Sequence, residues 1–277
     1  MLKSFIVLIC GFTFIFAKES VVVSIAPQKF FVQKVAGDAV DVTILVPTGS
    51  SPATYAPKPK QLQILKKSKL YFTIGVAFEQ HWLKRFQSIN SNLKIIDTTK
   101  GIQKITMNHD QHRDHHEGLD PHVWLSPKLV KLQVENITKA LMSLDPKNKI
   151  KYISNRDKFL DEIDELDIQI SKTLSTLKKR EFIVFHPSFG YFAKDYNLTQ
   201  IAIEKEGKEP SLKYIKKVID YASKYHIQTI FVAPQFSQKS ASYIASQVDA
   251  NIKIIDPLAE NWSKNIVEIT KSFKSAN

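Results

Sequence analysis

The chain has 277 residues, 43% of them apolar and 24% charged, with a formal net charge of +12. That balance excludes disordered and fibrous classes and leaves room for one large domain or two smaller ones with real cores. The basic residues, among them Lys58, Lys60, Lys66, Lys67, Lys69, Lys178, Lys179, Lys213, Lys216 and Lys217, are dispersed over many segments. A nucleic-acid reader gathers such residues on one face with interleaved aromatics, so this excess reads as a solvated lysine-rich surface with no nucleic-acid partner.

At the amino end, Lys3, an apolar or small-residue run over 5–17 and the polar Lys18-Glu19-Ser20 have the layout of a secretory signal peptide over residues 1–17. The run is short for a membrane span, and the expected location of the mature chain is the periplasm. Cys10, the single cysteine, lies inside this run behind the bulky Ile9, where a lipoprotein processing site has a small residue; lipidation is the minor alternative. Cleavage after Ala17 removes Lys3 from the 39 basic residues, leaving 38 against 27 acidic ones, a charge of +11 and no cysteine. Disulfides, thiolate metal sites and cysteine nucleophiles are thereby excluded from the mature chain.

Strand-like apolar runs follow at 21–26, 42–46, 70–74 and 93–97, separated by turn residues or by segments with helical spacing. A second set lies at 182–186, 200–204, 229–233 and 252–256, with helices expected at 212–225 and 237–247. Between the sets, Ile153, Leu160, Ile163, Leu166, Ile170, Leu174 and Leu177 recur at helical spacing behind Pro146 and predict one long helix over 146–180. Alternation of strands and helices points to an α/β protein with parallel sheets flanked by helices. The expected organisation is an N-terminal lobe over 18–145, a connecting helix over 146–180 and a C-terminal lobe over 181–277.

Candidate chemistry collects at strand ends, where open α/β sheets bind ligands. His122 stands in DPHVWLSP (120–127), His186 ends the run 182–186 before Pro187, and Asp256 ends the run 252–256 before Pro257. Two imidazoles and a carboxylate suit zinc, manganese or iron. A histidine before a proline is more often a turn residue, so the residues alone leave their role as ligands open.

These stretches nevertheless resemble a known family, the metal-binding proteins of bacterial zinc and manganese ABC importers. DPHVWLSP (120–127), FHPSFGYFA (185–193), IAIEKEGKEPS (201–211), IFVAPQFSQKSA (230–241) and Asp256-Pro257-Leu258 follow the order of that family's motifs, and the resemblance covers essentially the whole mature chain. It implies two α/β lobes joined by a rigid long helix, with one metal ion bound in the cleft by His122, His186 and Asp256. It also implies an inner-membrane ABC permease as partner, a monomeric state and no catalytic role. Histidine at 186, where manganese proteins of the family carry glutamate, makes Zn2+ the expected cargo, with manganese or iron as the alternative; a periplasmic metal chaperone or adhesin is the other reading of the same fold.

One departure matters. Where the family's first ligand is the histidine of a PHxYEP stretch, this chain reads Pro52-Ala53-Thr54-Tyr55-Ala56-Pro57, and Ala53 offers no donor. The expected substitute is water, with His109, His112, His115 or His116 of the histidine-rich loop 108–118, and then Glu79 or His81, as rival sources. Three protein ligands and a water are also the shell of a catalytic zinc. No His-Glu-x-x-His helix is present to supply a general base, which argues against a hydrolase.

Overall fold

Two four-stranded sheets, every strand parallel to its neighbours, form the framework of the protein. This computed structural model describes residues 18–107, 118–204 and 210–276. Residues 1–17, expected to be a signal peptide and containing Cys10, and the four histidines of the 108–118 loop lie outside the described residues.

In the N-terminal lobe β1 (Glu19–Val23), β2 (Val40–Ile44), β3 (Leu70–Thr73) and β4 (Lys94–Asp97) lie in the order β2-β1-β3-β4. In the C-terminal lobe β5 (Glu181–Val184), β6 (Thr199–Ala202), β7 (Thr229–Val232) and β8 (Asn251–Ile254) repeat that order as β6-β5-β7-β8. Helices α1 (Ala26–Ala36), α2 (Pro59–Lys67), α3 (Ala77–Ile89) and α4 (Pro127–Leu144) belong to the first half. The second carries α6 (Gly190–Asp195), α7 (Leu212–Lys224), α8 (Lys239–Gln247) and α9 (Trp262–Ser275). Strands such as β1, with Val21, Val22 and Val23 all fully buried, read as continuous apolar runs because helices cover the sheet.

All eight expected strands are present, with shifted ends. Two strands of the C-terminal lobe stop short of the candidate residues expected to close them: β5 ends at Val184 and β8 at Ile254. His186 and Asp256 therefore lie just past the sheet, in the loops at its carboxyl edge. Phe185 N–H still donates to Phe231 O at 2.8 Å, so the ladder hands His186 directly to the loop.

The long helix α5 (Lys149–Ser175) has 27 residues, shorter at both ends than the 146–180 expected. Pro146 instead opens a separate 3-10 turn (Pro146–Asn148), held by Asp145, whose carboxylate accepts from Asn148 Nδ2 at 2.6 Å and Tyr152 OH at 2.9 Å. At the other end Arg180 Nη1 donates to Leu174 O at 3.0 Å, beside the Leu177 N–H that reaches the same carbonyl at 3.2 Å where the helix stops. At 1.5 Å per residue the helix is about 40 Å long. Its buried stripe, Tyr152, Phe159, Ile163, Leu166, Ile170 and Leu174, packs against α1, α4 and α9.

More than this helix joins the lobes. One contiguous core runs from Val22, Phe31 and Tyr71 through Phe159 and Ile163 to Phe189, Phe192, Phe231 and Phe273, while a smaller cluster around Ile183, Ile203, Ile230 and Ile244 serves the far side of the second sheet. Trp262, at the start of the last helix, packs edge-on against Phe31 of the first lobe with ring centres 5.2 Å apart. Shared burial of this kind makes the two halves one packed body rather than beads on a rod.

Candidate metal site

His122 precedes the 3-10 turn Val123–Leu125, and its ring is fixed before any ligand arrives. Asp120, 1% exposed, accepts from His122 backbone N–H at 2.8 Å and from His122 Nδ1 at 2.7 Å, both through Oδ1. An ionised carboxylate only accepts, so Nδ1 carries the proton and the Nε2 lone pair is left for another partner. Trp124, with its ring centre 5.1 Å from that of His122, walls one side.

His186 is held the same way from the other lobe. Its Nδ1 donates to Glu204 Oε2 at 2.9 Å, and the Phe236 ring stacks on the imidazole at 4.7 Å. Glu204 is itself buried and sits just past β6. Burial pushes the His186 imidazole below its ordinary value, against the opposing pull of Glu204. Asp256 has one oxygen committed as well: Oδ1 accepts from Gln235 Nε2 at 2.8 Å and from Leu258 backbone N–H at 2.9 Å.

The two imidazoles meet across the lobes with ring centres 5.2 Å apart and planes at 73°. A zinc about 2.0–2.1 Å from two Nε2 atoms at a tetrahedral angle requires ring centres about 5 Å apart, so the pair stands at the spacing that one shared ion demands. Asp256 is not gathered into the same cluster. Among the described residues no three His, Cys, Asp or Glu side chains form a ready-made cage. The Asp256 loop is nonetheless tied to the His122 turn: Trp124 Nε1 donates to Pro257 O at 2.7 Å, Trp262 Nε1 to Trp124 O at 2.6 Å, and Asn265 Nδ2 to Asp256 O at 2.6 Å.

The rival donors fare differently. Ala53 lies exposed in the turn before α2. Glu79 is buried, and its carboxylate is fully engaged, accepting from Ser24 Oγ at 2.5 Å, Ile74 N–H at 2.8 Å and Gly75 N–H at 2.7 Å. Burial pushes this carboxyl up to about 7 although all three donors pull it down. It acts as a clamp at the ends of β1 and β3. Glu79→Gln, measured at pH 8, is expected to cost about 1–3 kcal/mol because the new NH2 faces a backbone N–H, with zinc affinity unchanged. A zinc affinity lowered tenfold without loss of thermal stability would instead make Glu79 a ligand. His81 is exposed, and its Nδ1 donates to Ala77 O at 2.8 Å.

Asp120, Glu204 and Gln235 were not singled out from sequence, although each lies in one of the motifs quoted above. Their signal was position within a motif; their role depends on which atom they touch.

The family described as "ZnuA: Zinc-uptake complex component A periplasmic" matches residues 21–276. The chain belongs to this family. The high-affinity zinc uptake system protein ZnuA of Bacillus subtilis is 29% identical over 258 residues, covering 89% of this chain and 80% of that protein. A crystal structure of ZnuA superposes with a TM-score of 0.89 at 42% identity, covering 94% of this chain and 99% of that one. A ZnuA deletion mutant with zinc bound gives the same TM-score and identity, covering 94% of this chain and 98% of its own. Membership in the ZnuA family bears out the expected two-lobed α/β fold and the expected class, the metal-binding component of a zinc-uptake ABC importer. Like the other members, the chain belongs to a periplasmic group of transport proteins.

Proposed function

We propose that the protein captures one zinc ion between its lobes with His122, His186 and Asp256 and hands it, as a monomer, to an inner-membrane ABC permease. The observation that carries this reading is the treatment of the three side chains: each has its far polar atom held by a partner, Asp120, Glu204 or Gln235, so that one donor atom remains for an ion. Partners of this kind fix tautomer and orientation at metal sites and sharpen affinity. Asp256 joins the histidine pair by side-chain adjustment, because its loop is already tied to the His122 turn through Trp124. With Ala53 exposed and Glu79 engaged, water completes the tetrahedron.

Zinc analysis of protein taken from its own periplasm tests the reading, with one zinc per chain and an intact mass beginning at Lys18 as the expected results. Manganese or iron as the resident ion would overturn the cargo. Loss of binding on deleting residues 108–118 would replace the water by a loop histidine.

Zinc binding should weaken as pH falls from about 7 to 5, because both imidazoles must be neutral to donate. Burial lowers His186, so folded His186 resists protonation longer than the unfolded residue does. The unfolded chain therefore binds the extra proton first, and this residue's contribution to metal-free stability declines as pH drops below about 6.5. Competition titrations with a chelator across that range check the affinity; equal affinity at both ends would sink a two-histidine site.

A further inference from the structure

Gly190 opens α6 four residues after His186 and lies buried against the first lobe. Its φ is not positive, so nothing in the backbone demands glycine, and alanine is the better helix former. What demands glycine is space. A Cβ at this position would stand 2.8 Å from Asp120 Oδ2 and 3.4 Å from Ile105 Cδ1, and the first distance is closer than real Cβ contacts allow.

The Asp120 carboxylate has little freedom to yield. Oδ1 is bound twice by His122, Oδ2 is buried without a hydrogen-bond partner, and the carbonyl of the same residue accepts from Tyr191 OH at 2.8 Å. Tyr191 OH in turn accepts from Ile105 N–H at 3.1 Å. The Gly190-Tyr191 step of the C-terminal lobe is thus seated on the residue that orients His122 in the N-terminal lobe, while the same short segment begins with His186.

We propose that Gly190 is a positioning residue for metal capture. Its missing side chain lets α6 close on Asp120, and this contact sets both the tilt of His122 and its distance from His186. The inference rests on the two-histidine reading of the site. A methyl group at 190 pushes the carboxylate aside, loosens its bond to Nδ1 of His122 and spoils the shared geometry, while the fold, tied by its continuous core, stays intact.

A double-mutant cycle on the full mature chain tests this, with zinc affinity read by chelator competition and coordination geometry by the visible absorption of the cobalt-loaded protein. Gly190→Ala is expected to weaken zinc binding about tenfold or more, in the range seen when a partner of a ligating histidine is disturbed. It should also change the cobalt spectrum while leaving the thermal midpoint of the metal-free protein near that of wild type. Asp120→Ala should weaken binding similarly. In that background Gly190→Ala should add nothing, because the group it collides with is gone. Additive losses, or a G190A protein with wild-type affinity and spectrum, would overturn the proposal. Should G190A not fold, Tyr191→Phe removes only the hydroxyl that ties Asp120 to Ile105, and it is expected to lower affinity and alter the cobalt spectrum; an unchanged spectrum would overturn the proposal equally. If His122→Ala leaves zinc affinity intact, the two-histidine site itself fails; if His122→Ala abolishes binding while Gly190 and Asp120 show no coupling, only this inference fails.

Discussion

Substituting His186 with alanine is expected to weaken zinc binding by about 100-fold or more. Structural zinc sites contribute about 10–16 kcal/mol through four ligands, so one protein ligand is worth roughly 3 kcal/mol, and each 1.4 kcal/mol is a factor of ten. The loss is sharpened here because His186 brings the second imidazole to within 5.2 Å of the first, centre to centre, and no other described histidine stands beside that pair. The substitution also strips Glu204, a buried carboxylate, of its Nδ1 partner, so the metal-free protein should lose some stability as well. Isothermal titration at pH 7.5 or so, with a chelator to bring tight binding into range, measures the first effect. A His186→Ala protein that binds zinc within threefold of wild type would place the site elsewhere.

The largest expected loss of stability belongs to Trp262→Ala. This side chain is 1% exposed, meets Phe31 edge-on at 5.2 Å and Phe159 at 6.3 Å, and donates its indole N–H to Trp124 O at 2.6 Å. Truncating a buried aromatic of this size costs about 3–5 kcal/mol, and in a protein of this length each kcal/mol moves the thermal midpoint by about 2–4 °C. A fall of about 10 °C in the metal-free midpoint is the expected result. Zinc affinity should fall too, because the Trp124 segment, which carries the bond to Pro257 beside Asp256, loses its anchor. Trp262→Phe keeps most of the buried ring and should recover most of the stability but not the hydrogen bond. A midpoint shift of only a degree or two for the alanine variant would mean that the last helix is not what fastens the lobes together.

A chain whose two sheets share one core, with tryptophan ties between the His122 turn and the Asp256 loop, has little room for wide separation of its lobes. Under the proposed three-ligand site, capture depends on small movements of side chains such as Asp256, and release calls on the proposed permease to disturb the carboxylate and amide partners that hold the donors in line.

Much of the architecture was legible in the order of residues. Valine-rich runs such as Val21-Val22-Val23 and the recurrence of Ile163, Leu166, Ile170 and Leu174 report burial through local periodicity, which any strand or helix imposes on its own sequence. The placement of His186 and Asp256 just past the carboxyl edges of strands followed from the same rhythm, whereas His122 stands before a 3-10 turn, and the motifs around all three pointed to the family. Only the tertiary structure decided the rest. Gln235 reaches Asp256 across 21 positions and Glu204 reaches His186 across 18, while Trp124 finds Pro257 across 133. The long helix stops at Ser175 because the chain turns there into β5, and Glu79, a candidate donor by type alone, is consumed by Ser24 and two backbone amides. Periodicity is a property of neighbours along the chain, whereas the partner of a buried polar atom, and the room left for a methyl group at Gly190, depend on how separate loops approach one another once the core has closed.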